Sequence, residues 1–467
     1  MKHRMLYASV GMALAGALAN PAIARSSHSC SVPRQTAVTL GPAQRARIDH
    51  LLADMVAKKI APGAVVLIEQ DGRIVYQRTL GMADAEAAKP MRADSLFRIF
   101  SMTKPVTSVA ALQLVARGKL SLDAPLSHYI PEFAGTRVWT GSAVTPFETQ
   151  PLNRPLTVRD LLVHGAGIVY AEAQPDPVHA AYTAQAIPAA PGVAPPPRGG
   201  VTAVASTAEL ARRIATAPLL HQPGARFTYG NSSDVLGRVV EVASGQRFAD
   251  YVKRNILDPL AMSSTRFQPT TADAARMTSA YASQAQAKLP GDNLLGGVDP
   301  TTLKAITPLR VDEGTKSVFL TGGKIDFGGS GLVSTAADYG RFTQMLRQDG
   351  QLGKVRILPR ALAREMRVNQ LTPEARNVST ALTSAGLGFG YGLAVRESAT
   401  GVSPIFPRCG AFWGGAASTF FWIDPAGRTS GVMMTQMFGG DVRNYWLEIM
   451  RTIYAPTPAP KTGTATR

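Results

Sequence analysis

The chain has 467 residues, 45% hydrophobic and 17% charged, which supplies a sizeable core and excludes a disordered polymer. Two cysteines and seven histidines exclude a disulfide-rich scaffold, and the histidines show no HExxH-type ligand spacing, so no metal site is expected. The net charge of +17 is scattered and comes with no nucleic-acid-binding motif, so it reads as a solvated basic surface rather than a nucleic-acid interface.

The N-terminus carries Lys2, His3 and Arg4, then an apolar run over 5–19 and the small-residue site Ala22-Ile23-Ala24. This reads as a signal peptide over residues 1–24, cut before Arg25, so a periplasmic or secreted protein is expected. An oxidising compartment permits a Cys30–Cys409 bridge, although spacing alone does not bring the two together. No later apolar run reaches the roughly 20 residues of a membrane-spanning helix, so no integral membrane segment is expected after signal removal.

Residues 43–59 place Ile48, Leu51, Leu52, Met55 and Val56 at helical spacing. Two β-rich runs, 64–70 and 73–77, flank Asp71-Gly72, a hairpin signal because the tight turn needs positive φ. Residues 171–200 are rich in Ala and Pro and read as a surface loop or flap rather than a core helix. Ser206-Thr207-Ala208-Glu209 opens a helix with a capping-box pattern, and the helix over 234–243 stops before Gly245. The stretch 270–327 carries no assignable element. Runs 391–396, 416–423 and 431–436 read as strands, with an Asp424-Pro425-Ala426-Gly427 turn between the last two. A helix over 441–454 closes the fold, and a Pro/Thr-rich tail follows, expected to be disordered over 456–467. Strands at both ends around a mostly helical middle predict one α/β layer assembled from both termini.

Several chemical signatures are missing: there is no P-loop, no dinucleotide fingerprint and no G-x-S-x-G elbow, Gly328-Gly329-Ser330-Gly331-Leu332 failing at its last position. Ser101-Met102-Thr103-Lys104 opens an apolar helix, with Pro105 suited to its first turn. At i and i+3, the lysine amine lies beside the serine hydroxyl. Apolar burial disfavours the charged lysine, which then acts as a base or polarises one. In Tyr229-Gly230-Asn231 the phenol is a candidate base beside a cation, and the amide offers donors and an acceptor to Lys104 and a substrate carbonyl. In Trp413-Gly414-Gly415-Ala416 the paired glycines permit close backbone approach, leaving the Ala416 N–H to face an oxyanion. Each element alone also has a structural explanation: a capping serine, a core tyrosine or a glycine bulge. His164, within Leu161-Leu162-Val163, reads as structural rather than catalytic.

Taken in order, the three elements resemble the penicillin-recognising serine hydrolases: class C β-lactamases, DD-peptidases and family VIII carboxylesterases. The similarity spans about residues 45–455 and includes the Leu156–His164 stretch, Gly328 to Thr335 and Gly388-Phe389-Gly390-Tyr391-Gly392. It implies a β-lactamase/transpeptidase-like α+β fold. An antiparallel sheet from both termini, flanked by helices, would form one lobe over about 40–100 and 330–455. A mostly helical lobe over about 101–329 would complete a single domain at 40–455. It also implies Ser101 as nucleophile, Lys104 and Tyr229 as its activating pair, and the Ser101 and Ala416 N–H groups as oxyanion hole. Asn231, Trp413, Gly414 and Gly415 would contact substrate. Trp413 stands where lactamases and peptidases carry a cation for the substrate carboxylate, so a neutral ester is the expected substrate, with no cofactor. Arg408 close upstream keeps a β-lactam or D-Ala-D-Ala peptide as an alternative, and a non-catalytic cell-envelope binding protein is the other. Lys461-Thr462-Gly463 lies in the tail with no strand after it and reads as coincidence. Residues 171–200 and 270–327 are expected to form a lid over Ser101.

Overall fold

The computed structural model describes residues 40–142, 148–171, 176–193, 201–283, 308–320, 325–378, 382, 385–397 and 405–454. The expected signal peptide, Cys30 and the tail with Lys461-Thr462-Gly463 lie outside these residues. An eight-stranded antiparallel sheet organises the molecule. Its N-terminal strands are β1 (Gly63–Gln70), β2 (Arg73–Asp84) and β3 (Lys89–Pro90). Its C-terminal strands are β4 (Leu387–Phe389), β5 (Ala394–Arg396), β6 (Ala411–Gly414), β7 (Phe420–Asp424) and β8 (Thr429–Met434). The spatial order is β4-β5-β6-β7-β8-β1-β2-β3, so the two chain ends meet where β1 pairs with β8, Val65 opposite Met434. The β1–β2 hairpin turns through Asp71 and Gly72, both at positive φ (54° and 81°), as the Asp-Gly pair predicts.

Helices cover both faces of the sheet, and the period-2 alternation of side chains decides which residue meets which helix. On β7, Phe421 packs its ring on Tyr339 of α8 (Ala336–Arg347), while the next residue, Trp422, donates from Nε1 to Tyr454 Oη at 3.1 Å. Tyr454 ends α9 (Val442–Tyr454), which packs beside α1 (Pro42–Ala57). β1 is accordingly apolar and buried along nearly its whole length.

The helical part is built round α2 (Thr103–Ala116), whose residues 103–114 are all buried. It packs on α6 (Ser232–Ser244), which also meets α3 (Val158–Leu162), α5 (Thr207–Thr216) and α7 (Phe248–Val252). Ser206 caps α5 by accepting from the Glu209 N–H at 3.1 Å, and Gly245 closes α6 in the left-handed conformation at φ 70°.

Three expectations are corrected. Residues 171–200 do contain a core-facing helix, α4 (Pro177–Ala184), with Val178, His179 and Tyr182 buried. Asp176 accepts from the Val178 and His179 N–H groups and Pro177 sits in the first turn, so that proline starts a helix instead of breaking one. The expected strand over 416–423 is the β6–β7 hairpin: residues 415–419 form its turn, closed by Gly415 N–H to Thr419 O at 2.8 Å. Finally, β5 begins only at Ala394, because Gly392 has φ 82° and the Tyr391 N–H bonds the Met366 carbonyl instead of a strand.

Candidate active site

The segment leading to Ser101 is clamped before it turns. Phe97–Arg98 pairs with Val333–Ser334, and the fully buried Arg98 guanidinium meets Asp312 at 2.6 Å, the Thr278 carbonyl at 2.7 Å and Gln436 Oε1 at 3.0 Å. Phe100 then adopts φ 41°, a left-handed conformation that costs a non-glycine residue on the order of 1–3 kcal/mol. Edge-to-face contacts with Phe319 (5.7 Å) and Phe438 (5.3 Å) hold it there. The 3₁₀ turn Phe100–Met102 delivers Ser101 to the start of α2, where a helix leaves its N–H groups without intrahelical acceptors.

Lys104 is fully buried. Its Nζ lies 3.2 Å from Ser101 Oγ, 3.0 Å from Tyr170 Oη and 2.9 Å from the Gly329 carbonyl oxygen. It also sits 4.5 Å from the centroid of the Tyr229 ring. Tyr229 Oη accepts a hydrogen bond from Trp413 Nε1 at 3.3 Å. Residues 101, 104, 229 and 413, from three separate stretches of chain, therefore meet at one place.

The Gly415–Ala416 turn lies against the backbone at Ile99, two residues before Ser101. A Cβ on Gly415 would stand 2.3 Å from the Ile99 carbonyl oxygen, so a side chain there would push the hairpin away. Thr419 Oγ1 reaches the same carbonyl at 3.4 Å. Ala416 and Ala417 join a small apolar cluster with Phe100, Phe319, Ala190 and Phe438, apart from the main core.

Two expected substrate contacts face other partners. Asn231 is fully buried, and its Nδ2 donates to the Pro188 carbonyl (3.0 Å) and Asp234 Oδ2 (2.9 Å); its Oδ1 meets no partner among the described residues. Trp413 is 4% exposed and commits its single N–H to Tyr229. His164 is also fully buried, at φ 53°, with its ring 4.7 Å from that of Tyr229 and neither ring nitrogen partnered among the described residues. Burial first, then the charge of Lys104, holds its pKa well below the usual imidazole value, so it is neutral. Arg408 is exposed on the approach to β6, where its charge acts on Arg396.

Sequence reasoning missed two groups. Tyr170, six residues after His164, carries no motif. Asp234 lies three residues beyond Asn231 and is 1% exposed; burial raises its pKa to about 6 against the opposing effects of Lys104, the Gly329 N–H and Asn231. Of the segments expected to form a lid, Pro188 bonds Asn231 and the Ala189 carbonyl accepts from Ser330 Oγ at 3.3 Å, so this part of 171–200 lies beside the site. No cluster of His, Cys, Asp or Glu suited to a metal occurs among the described residues. Nor is any described helix long and apolar enough to cross a membrane.

The sequence profile of the Beta-lactamase family matches residues 48–452. The chain belongs to that family. EstB, an esterase of Burkholderia gladioli, is 30% identical over 397 residues, covering 84% of this chain and 90% of EstB. A lovastatin esterase of Penicillium rubens is 28% identical over 391 residues, 80% and 88% of the two chains. EstCE1, a hydrolase with promiscuous acyltransferase activity, has a similar structure with TM-score 0.70 at 26% identity, covering 89% of this chain and 100% of that one. A variant of the simvastatin synthase LovD from Aspergillus terreus shares the fold, with TM-score 0.68 at 22% identity over 89% of this chain and 95% of that one. This β-lactamase-family member is thus a serine hydrolase with a β-lactamase/transpeptidase-like fold and esterase relatives.

Proposed function

We propose that the protein is a carboxylesterase acting on neutral or apolar esters through an acyl-enzyme on Ser101. The observation that carries this reading is the approach of Lys104 Nζ to Ser101 Oγ at 3.2 Å, beside a phenol and beneath a tryptophan rather than a cation. In the first step the Ser101 Oγ–carbon bond forms, the carbonyl electron pair moves onto oxygen and the serine proton passes to Tyr229. The Trp413 N–H and the Lys104 cation both stabilise negative charge on the phenol oxygen. The Ser101 and Ala416 N–H groups would hold the oxyanion, each worth roughly 3 kcal/mol. Collapse breaks the carbon–alkoxy bond, the alcohol leaves with the proton from Tyr229, and water releases the acid by the same path. An acceptor alcohol in place of water gives acyl transfer, the activity named for EstCE1.

Lactam or peptide hydrolysis is disfavoured because the third element brings an indole whose N–H is already committed. An exported protein is part of the same reading, supported by the N-terminal sequence. In the deciding experiment, Ser101→Ala abolishes turnover of a short-chain nitrophenyl ester and prevents the single adduct that a serine-directed phosphonate forms on the parent. Turnover surviving that substitution overturns the assignment, and nitrocefin hydrolysis faster than ester hydrolysis transfers it to the lactamase branch.

A further inference from the structure

Asp234 is a carboxylate with almost no contact with water, beside a lysine of the proposed machinery. Ordinary folding gives no reason for it, because burying a charge costs several kcal/mol unless partners compensate. Its partners are specific. Oδ1 accepts from the Gly329 N–H at 2.8 Å, and Oδ2 accepts from Asn231 Nδ2 at 2.9 Å. The carbonyl of the same Gly329 accepts from Lys104 Nζ at 2.9 Å. One residue thus bridges the two charges, anion at its N–H and cation at its C=O. The approach is so close that a Cβ on Gly329 would lie 2.9 Å from Asp234 Oδ2, and one on Gly328 would lie 2.2 Å from the Ser233 carbonyl oxygen.

We propose that Asp234 is a positioning residue for the reaction: through Gly329 it fixes where the Lys104 amine sits against Ser101. It also supplies the counter-charge of the ammonium, leaving proton acceptance to a phenol. This inference rests on the Ser101 esterase reading. The carbonyl of Gly329 only accepts, so it directs one N–H of Lys104 inward and leaves the others for Ser101 and Tyr170. An anion nearby favours the charged amine over the neutral one. Lys104 on α2 is the charge acting on the carboxylate; Tyr170, the neutral His164 at the end of α3 and Tyr229 before α6 are the other titratable groups named on that lysine. From α5 and α7 the side chains turned inward include the apolar Leu210 and Phe248.

The test uses the full chain and the variants Asp234→Asn and Gly329→Ala, with kcat, KM, a pH–rate profile and a thermal midpoint for each. Asp234→Asn is expected to lower kcat by roughly tenfold to a hundredfold with KM nearly constant, and to displace the pH–rate profile. Gly329→Ala keeps the charge but forces the carboxylate off the peptide; it is expected to lower kcat with a smaller displacement of the profile. A parental kcat and profile in folded Asp234→Asn overturns the proposal. Should that variant not fold, a parental kcat in Gly329→Ala overturns it equally. The parent is assayed alongside for ester turnover and for the phosphonate adduct at Ser101. If both are present, a negative result removes Asp234 alone; if both are absent, the esterase reading fails and takes this inference with it.

Discussion

At the scale of single residues, the site is a set of donors and acceptors with few to spare. Trp413 has one N–H, and it goes to the Tyr229 hydroxyl. Trp413→Phe keeps the ring packing and loses that bond, so kcat is expected to fall roughly tenfold, the worth of one hydrogen bond to a charged group, with little change in KM under steady-state assay. The two phenols are separable in the same way. Tyr229→Phe removes the proposed base and is expected to cost on the order of 10²–10⁴ in kcat, whereas Tyr170→Phe removes one neighbour of Lys104 and costs far less. Asp234 links activity to stability. Burial raises its pKa in the folded state to about 6, above the ordinary aspartate value of 3.8, so its favourable contribution is complete below the unfolded value and lost as pH rises through about 6. The charged form then weighs against the fold by on the order of 2–3 kcal/mol. The melting temperature of Asp234→Asn, relative to the parent, is expected to rise between pH 5 and pH 8 in calorimetry, even as catalysis falls. Ser101 and Lys104 were legible as neighbours because the 3₁₀ turn of Ser101 runs straight into α2, three residues before the lysine. Asp234 and Tyr170 were not, because their contacts arise only when Gly329 and Lys104 arrive from elsewhere in the chain.

At the scale of elements, legibility followed how local the determining chemistry is. The β1–β2 hairpin was readable because Asp71-Gly72 encodes its own turn. The β6–β7 hairpin was misread because its register, Trp413 opposite Phe421, is set by neighbouring strands rather than by the turn residues. Helix α4 was missed because a composition rich in proline hides the one proline that a helix start favours. The β6–β7 turn also makes a sharp prediction. Gly415→Ala drives a methyl to 2.3 Å from the Ile99 carbonyl oxygen and displaces Ala416 from the nucleophile. The expected result is a loss in kcat of roughly 10²–10³, the worth of one oxyanion donor, measured on protein whose far-UV dichroism matches the parent.

At the scale of the whole molecule, the sequence revealed that strands from both termini share a layer, and it could not reveal their order, since nothing local says that Val65 faces Met434. Beside that seam, β7 is fastened to α9 through Trp422 Nε1 and Tyr454 Oη. Tyr454→Phe leaves a buried indole N–H without its acceptor and is expected to cost about 1–3 kcal/mol in denaturant unfolding while leaving kcat per folded molecule unchanged.

The seam also has a bearing on biosynthesis. Ser101 emerges from the ribosome about 300 residues before Ala416, and β1 must wait still longer for β8; pairings this distant in sequence form slowly. On the Ser101 esterase reading, a growing polypeptide would carry Ser101 without Ala416 beside it, so ester turnover is expected only once translation is almost finished.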